Sequence, residues 1–130
     1  MADSKLEIGI HLSNRGWLLH EDQTPSVKSS LLRMAKLVEE AEYHSVWVVD
    51  SVVSKPRFEA LTMLAAIAAC TERVKIGVTV LLPALRNPIH LAHQTATIDR
   101  ISDGRLILAF GAGGGAEIYV PEWNALGIPY

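Results

Sequence analysis

The stretch Arg73–Gly115, RVKIGVTVLLPALRNPIHLAHQTATIDRISDGRLILAFGAGGG, predicts a strand, a helix and a second strand in immediate succession. Its first part, Val74 to Leu82, is dense in β-branched and aliphatic residues and stops at Pro83, which is typical of a strand buried on both faces. A second apolar run, Arg105 to Phe110, follows the helix and predicts another buried strand. Two such strands joined by one amphipathic helix favour the right-handed βαβ unit of parallel sheets.

The helix within this stretch carries recognisable start and stop signals. Asn87 stands before Pro88, as an N-cap before a proline at the first helical position. Gly104 follows Asp103 and supplies the left-handed residue that ends a helix. The residues expected to line one face of the helix recur at helical spacing: Leu91, Thr95, Ile98 and Ile101.

The rest of the chain repeats the same unit. The expected strands begin near Leu6, Val46, Val74 and Arg105. This spacing is close to the about 30 residues of each unit of an eightfold β/α barrel. Helical periodicity from Thr24-Pro25 to Tyr43, and again from Lys55-Pro56 onward, predicts the helices between the first three strands. Three large side chains are expected in the core: Met34, Trp47 and Phe58.

Composition limits the class of protein. The 130 residues are enough for one domain with a hydrophobic core. With 12 basic and 14 acidic residues and a net charge of -2, the chain offers no electrostatic case for binding nucleic acid or an anionic membrane. Cys70 is the single cysteine, so no intrachain disulfide can form. Together with the lack of a long apolar run, this predicts a soluble protein of the reducing cytoplasm.

In parallel β/α folds the functional site forms at the carboxyl ends of the strands. Four places are therefore expected to converge at one mouth: His11, Asp50 to Lys55, Val80 to Leu85 and Gly111 to Gly115. The run GAGGGA at 111–116 formally fits the dinucleotide fingerprint G-x-G-x-x-[G/A], because glycines let backbone N–H groups approach a phosphate or an aromatic ring. The dinucleotide interpretation predicts binding of an adenine dinucleotide, and a flexible turn is the alternative.

Polar side chains near these strand ends are the candidate functional groups. His11 can serve as a proton donor or as a structural residue, and Asp50 can hydrogen-bond a cofactor or substrate or cap a helix. Trp17 either covers a substrate or packs within its own loop. His90 and His93 lie three residues apart on a helix without further ligands nearby in sequence, which favours a solvated helix face over a metal site.

The string from Glu72 through Gly115 resembles the core signature of the bacterial-luciferase-like family of flavin-dependent oxidoreductases. The positions that carry the resemblance are Pro83, Arg86, Asn87-Pro88, Gln94, Asp99-Arg100 and Gly104-Arg105, with weaker agreement back to Leu6. The resemblance implies an α/β fold of the TIM type, a (β/α)8 barrel, of which residues 1–130 would form the incomplete N-terminal part with about four strands. A truncated gene, an expression fragment and a barrel half all fit this length.

The resemblance also implies a cofactor and a chemistry. Family members use FMN or the 5-deazaflavin coenzyme, and oxidise a small organic substrate with reduced flavin and oxygen or by hydride transfer to the deazaflavin. Members carry a strand bulge with a cis peptide bond behind the flavin ring, and it corresponds to Thr79-Val80 in this sequence. The loop after the fourth strand, Gly111 to Gly113, would hold part of the cofactor, so the resemblance favours a flavin-lining strand end over the dinucleotide interpretation.

Two residues depart from the family pattern. Ser51 stands where many members have a histidine, and Ala112 stands where luciferase has a basic residue. The expected site residues are His11, Asp50 and Ser51 for catalysis and Thr79, Val80, Gly111, Ala112 and Gly113 for the cofactor, without a metal. Family members tend to dimerise through helices of this half, which implies a homodimer. The alternative is a non-catalytic half-barrel remnant or self-assembling module, whose open strand edges pair with a second copy.

Overall fold

Four strands alternate with helices along the chain. The computed structural model describes residues 6–15, 27–53, 55–113 and 117–129. The strands are β1 (Gly9–His11), β2 (Ser45–Val48), β3 (Lys75–Leu81) and β4 (Leu106–Phe110). The helices are α1 (Val27–Glu40), α2 (Ala60–Cys70), α3 (Pro88–Ile101) and α4 (Val120–Ala125), and single 3₁₀ turns cover Pro83–Leu85 and Glu117–Tyr119. The predicted alternation is therefore confirmed, whereas the expected helix start at Thr24-Pro25, and Trp17, lie outside the described residues.

The four strands form one sheet in sequence order, and every neighbouring pair is parallel. The register aligns Gly9 with Ser45, Ser45 with Lys75, and Ile76 with Leu106. Parallel strands in sequence order, each followed by a helix, are the arrangement of successive units of a (β/α)8 barrel. The chain is thus an α/β structure and part of a barrel, as predicted.

The hydrophobic core lies between the sheet and the helices. Fully buried members of this cluster include Val46 and Val48 on β2, Ile76 and Val78 on β3, Leu31 on α1, and Leu64 and Ile67 on α2. Helix α2 contacts α1 and α3 as well as β3, which explains why its sequence is apolar on most sides. Phe58 is partly buried against this cluster, in line with the expectation for it.

Two side chains expected to face inwards are instead half exposed. Met34 on α1 is 43% exposed and Ile101 on α3 is 47% exposed. At about 100° per residue, each lies roughly 60° around the helix from its buried neighbour three positions before it, Leu31 and Ile98. Both residues therefore stand at the edge of the apolar stripe, where they leave the sheet and meet solvent.

The helix signals read from the sequence hold for α3 and are wrong for α2. Asn87 accepts hydrogen bonds from the backbone N–H groups of Ile89 and His90 at 3.0 and 3.2 Å, with Pro88 at the first helical position. Helix α2 begins at Ala60 and not at Lys55-Pro56. Its N-cap is Glu59, whose carboxylate accepts from Leu61 N and Thr62 N at 3.2 and 2.7 Å. The helix begins there because this carboxylate provides acceptors for backbone amides of the first turn, which have no partner within the helix.

On the sheet face opposite the helices, one indole ring fills the space above two glycines. Trp47 of β2 lies between Gly9 of β1 and Gly77 of β3, and a Cβ atom added to either glycine would overlap the ring. The indole Nε1 donates to Ser45 Oγ at 2.8 Å. Trp47 therefore lies on the sheet face opposite the hydrophobic core and is only partly buried. The expectation that it belongs to the core is wrong, because Val46 and Val48 take the core-facing positions of β2.

Two charged side chains, Glu39 and Arg105, form hydrogen bonds at the end of the sheet where the strands begin. One carboxylate oxygen of Glu39 accepts from the backbone N–H groups of Glu72, Arg73 and Val74 at 2.9, 2.6 and 2.9 Å. Arg105 is 7% exposed and donates from Nε and both terminal nitrogens to carbonyl oxygens, among them Ser102 O at 2.6 Å and Thr71 O at 2.8 Å. Both contacts join helices to the loops that enter β3 and β4.

No helix within the described ranges is long and apolar enough to cross a membrane.

Candidate functional site

A cavity of about 320 Å³ opens at the carboxyl ends of β2, β3 and β4. It is lined by Val49, Asp50, Thr79, Val80, Leu82, Gly111, Ala112, Gly113, Tyr119, Glu122 and Trp123. Apolar and aromatic side chains with a few polar groups at one edge are typical of small-molecule sites, and this edge of a parallel sheet is where such sites form. The cavity is therefore the candidate functional site.

The floor of the cavity is a bulge at the end of β3. The peptide bond between Thr79 and Val80 is cis, and the register with β4 shifts between Thr79 and Leu81. The position that the family resemblance implied for the cis bond is thus the observed one. Gly111 donates from its backbone N to Leu81 O at 2.8 Å, and a Cβ atom at Gly111 would stand 2.5 Å from Val80 Cγ2. A side chain at position 111 would therefore require Val80 to move.

Asp50 is held by Arg86 in a buried two-pronged ion pair. Its Oδ1 and Oδ2 atoms accept from the two terminal nitrogens of Arg86 at 2.7 and 2.6 Å, and Oδ2 also accepts from Leu82 N at 3.0 Å. Arg86 reaches Glu59 Oε1 at 3.0 Å as well. Although burial acts in the opposite direction, the hydrogen bonds and charges of Asp50 and Glu59 raise the pKa of Arg86 above its usual value. This cluster joins the ends of β2 and β3 to the start of α2.

Glu122 joins α4 to the loop after β2. Its carboxylate is fully buried, and its Oε1 atom accepts from Ser51 Oγ at 3.3 Å, from Val53 N at 2.9 Å and from Val52 N. The next residue, Trp123, packs over Gly113, whose φ of 93° and whose position against the indole both favour glycine. Helix α4 thereby forms one wall of the cavity.

A family model described as luciferase-like monooxygenase matches residues 6–122. The chain belongs to the luciferase-like monooxygenase family. The four-stranded partial barrel, the bulge at the end of β3 and the cavity above it are features of this family member in the described part of the chain.

Several named relatives and solved structures are similar to this chain. The F420-dependent glucose-6-phosphate dehydrogenase of Amycolatopsis mediterranei is 40% identical over 90 residues, which cover 64% of this chain and 27% of the relative. The pyrimidine monooxygenase RutA of Acinetobacter baylyi is 30% identical over 139 residues, covering 95% of this chain and 35% of the relative. The crystal structure of monooxygenase RslO1 from Streptomyces bottropensis matches with a TM-score of 0.77 and 29% identity over 95% of this chain and 37% of that chain. The matched regions thus cover 27% to 37% of the length of these proteins.

Most of the site residues expected in this luciferase-like sequence line one cavity, and two do not. Asp50 and all five expected cofactor residues, Thr79, Val80, Gly111, Ala112 and Gly113, are among the lining residues. Ser51 is buried behind the cavity, where its hydroxyl donates to Glu122. His11 is exposed at the end of β1 and is not part of the lining. Gly114 to Ala116, the rest of the glycine run, lie outside the described residues.

Sequence reasoning missed four contributors to this site. Arg86 is expected only as a position of the family signature, and Tyr119, Glu122 and Trp123 are not among the expected site residues. A signal was present for Arg86, since it is one of the positions that carry the family resemblance. For Glu122 there was none, because its partners lie about 70 positions earlier in the chain.

The cavity suits the ring of a flavin better than its phosphate. Its walls are aliphatic and aromatic, as an aromatic ring system requires, and Thr79 and the backbone around Gly111 offer polar atoms at the edge. No lysine or arginine is among its lining residues in the described ranges, so the charge of a phosphate is not matched there. Those same ranges contain no group of three or more His, Cys, Asp or Glu residues arranged to hold a metal ion.

Proposed function

We propose that this chain supplies the ring-binding part of a flavin or 5-deazaflavin site in an oxidoreductase acting on a small organic substrate. The observation that carries the proposal is the apolar cavity in which the bulge at Thr79 and Val80 faces the loop Gly111 to Gly113. The names of two relatives support it, since one is an F420-dependent dehydrogenase and the other a pyrimidine monooxygenase.

Each side chain of the site has a definite task in this proposal. Val80, Leu82 and Trp123 exclude water from the ring, and Thr79 offers a hydroxyl at its edge. Asp50 positions the strand ends through Arg86, and Ser51 positions the loop after β2 through Glu122. His11, exposed at the end of β1 and outside the lining of the cavity, is the proposed proton donor or acceptor. When bound, the flavin or deazaflavin supplies the electron transfer that oxidation of the substrate requires.

Binding of the cofactor tests this proposal directly. The purified chain is titrated with FMN and with the 5-deazaflavin coenzyme, with NAD as the control ligand, and ligand fluorescence is followed. Saturable binding of one of the flavins is expected, and Val80→Ala should weaken it about fivefold because it removes about 1 kcal/mol of apolar contact. Ile89→Ala, which trims a 76% exposed side chain on α3, is the matched control. A folded chain that binds neither flavin, or binds NAD instead, would overturn the proposal.

A second candidate function is a self-assembling half-barrel module. In the described sheet, β1 and β4 each pair on one side only, and Ile8 beside β1 and Phe110 at the end of β4 are 50% and 60% exposed. Two copies related by a twofold axis can pair β1 of one with β4 of the other and cover both residues. A homodimer is therefore proposed with either function, in the cytoplasm, where the single thiol of Cys70 stays reduced.

A further inference from the structure

Tyr119 brings to the cavity a hydroxyl group that the described chain does not use. Tyr119 is one of the lining residues and is partly exposed. Its hydroxyl makes no hydrogen bond to any described residue, and it is not among the polar atoms of the described chain that are buried without a partner. The hydroxyl is therefore within reach of solvent and of a ligand in the cavity.

The helical turn that follows β4 directs Tyr119 toward the cavity. Tyr119 directly precedes α4 and has helical dihedral angles, with φ -96° and ψ -16°. Glu122 and Trp123, three and four positions later, therefore lie on the same side of this turn. Both are buried and line the cavity, and Oε1 of Glu122 accepts from Val53 N at 2.9 Å. This contact holds Tyr119 on the side of the turn that faces the cavity.

The acidic side chains of the lining are already engaged. The Asp50 side chain is fully buried, and both of its oxygen atoms accept hydrogen bonds from Arg86. Glu122 is fully buried as well and accepts from the loop after β2. The described lining contains two hydroxyl groups, on Thr79 and Tyr119. A ligand in the cavity thus meets neutral hydroxyl groups rather than accessible carboxylates.

We infer that Tyr119 is the hydrogen-bond donor that orients the ligand in this cavity, and that the ligand presents a neutral acceptor oxygen of the carbonyl type to it. A phenol is more acidic than the aliphatic hydroxyl of Thr79 and is therefore the stronger donor of the two. Val80 and Leu82 line the same cavity, and a hydrogen bond made among apolar side chains is stronger than one made in water. A charged group would lose its hydration there without meeting a counterion among the described lining residues.

The inference rests on the proposed function only for the identity of the ligand. The acceptor oxygen can belong to a carbonyl group of the flavin ring or to a carbonyl group of the organic substrate, and the hydrogen bond from Tyr119 is the same in both cases. A small ketone therefore tests the donor without flavin, and riboflavin, which has the ring without the phosphate, tests it with the ring.

The first experiment compares cyclohexanone with methylenecyclohexane, which has the same shape without an oxygen atom. The chain is labelled with ¹³C at Cζ of its tyrosines, and the signals are followed by NMR while each compound is added. A saturable shift of the Tyr119 signal is expected with cyclohexanone at a concentration about fivefold lower than with methylenecyclohexane, because one hydrogen bond changes the affinity by about this factor. Sodium cyclohexanecarboxylate, which carries a charge, should bind more weakly than the ketone.

Two matched variants test whether the hydroxyl is responsible. Tyr119→Phe should bind the ketone and the hydrocarbon equally, as followed through the methyl signals of Val80. Its stability in urea should not change, because the hydroxyl has no partner to lose among the described residues. Tyr43→Phe makes the same change before β2, at the other end of the sheet, where Tyr43 is 41% exposed, and should keep the preference for the ketone.

Riboflavin shows which carbonyl group receives the hydrogen bond. Weaker binding of riboflavin by Tyr119→Phe would assign the donor to the ring, whereas an unchanged affinity together with a lost preference for the ketone would assign it to the substrate. The inference is overturned if Tyr119→Phe alters neither the preference for the ketone nor the affinity for riboflavin, or if Tyr43→Phe alters them equally.

The same data keep this result distinct from the proposed function. A chain that prefers the ketone through Tyr119 and binds no flavin would keep the inference and remove the oxidoreductase proposal. A chain that binds riboflavin equally well with and without the hydroxyl, and shows no preference for the ketone, would remove only the inference.

Discussion

At the scale of single residues, the ion pair between Asp50 and Arg86 links two separate segments at the edge of the cavity. The Asp50 side chain is fully buried, and three hydrogen bonds to it join the end of β2 to the turn after β3. A buried pair of this kind contributes geometry rather than a large net stability, but removing one partner leaves the other charge uncompensated. Asp50 is thus the residue on which the shape of the cavity edge depends.

We expect Asp50→Asn to lower the free energy of unfolding by about 3 kcal/mol, because Arg86 keeps its charge and loses its main counterion. The measurement is urea denaturation at neutral pH. Glu7→Gln is the control, since Glu7 is 70% exposed and its contact with His44 spans 3.4 Å, and it should change stability by less than about 1 kcal/mol. Equal effects of the two variants would contradict the role assigned to Asp50.

At the scale of elements, single carboxylates hold separate segments together at both ends of the sheet. Glu39 of α1 binds three successive amides before β3, and Glu122 of α4 binds the loop after β2. Backbone N–H groups turned toward one oxygen favour the ionised carboxylate. These contacts fix loops that hydrophobic packing alone would leave free to move.

The Glu39 contact predicts a pH dependence. Although burial acts in the opposite direction, the amides of Val74, Arg73 and Glu72 lower the pKa of Glu39 in the folded chain. The stabilisation is therefore complete above the unfolded pKa of about 4.3 and is lost as the pH falls through the lower folded value. We expect Glu39→Gln to flatten the decline of stability below about pH 5, as measured by urea denaturation at several pH values. Glu40→Gln, one residue along on the exposed side, should keep the original slope.

For the Glu122 contact we expect Glu122→Ala to loosen the loop after β2 without unfolding the sheet. Removing one acceptor leaves the amides of Val52 and Val53 without their partner, so their hydrogen exchange should accelerate at least tenfold. Amide exchange measured by NMR checks this, with the amides of Ile76 and Val78 as internal reference. Glu117→Ala changes an exposed residue just before the same helix and should leave the loop amides unaffected. Protection of Val53 that survives in Glu122→Ala would show that the carboxylate is not what holds the loop.

At the scale of the whole molecule, the sequence predicts the order of elements better than the contacts between them. The strand at Val74 and the cap at Asn87 follow from neighbouring residues, so local rules locate them. The start of α2 at Ala60, with Glu59 as its N-cap, was missed because Pro56 gave a competing signal. The pairing of Glu122 with Val53 spans 69 positions and arises only when the sheet brings both to one edge. Sequence reasoning therefore located the bulge at the end of β3 and did not locate α4 beside the cavity.

Two matched variants can show whether the interface of the proposed homodimer is formed by strand edges or by helix faces. If β4 pairs with β1 of a second copy, Phe110→Lys should shift the particle mass from dimer to monomer, because an ammonium group at an edge strand opposes pairing. Ile89→Lys places the same group on an exposed position of α3 and should leave the mass unchanged. Light scattering during size-exclusion chromatography distinguishes the two. Dissociation by Ile89→Lys alone would show that the helix face forms the interface and that the edges do not.

The ring of Trp47 lies between Gly9 and Gly77, so the residues allowed at these three positions on three strands depend on one another. Neither glycine can gain a side chain while the indole is present, and loss of the indole leaves a void that only larger neighbours can fill. Substitutions at these positions should therefore be accepted together and rejected singly. In a library randomised at all three positions and selected for folding, tryptophan at position 47 should co-occur with glycine at 9 and 77, and smaller residues at 47 should co-occur with alanine or serine there.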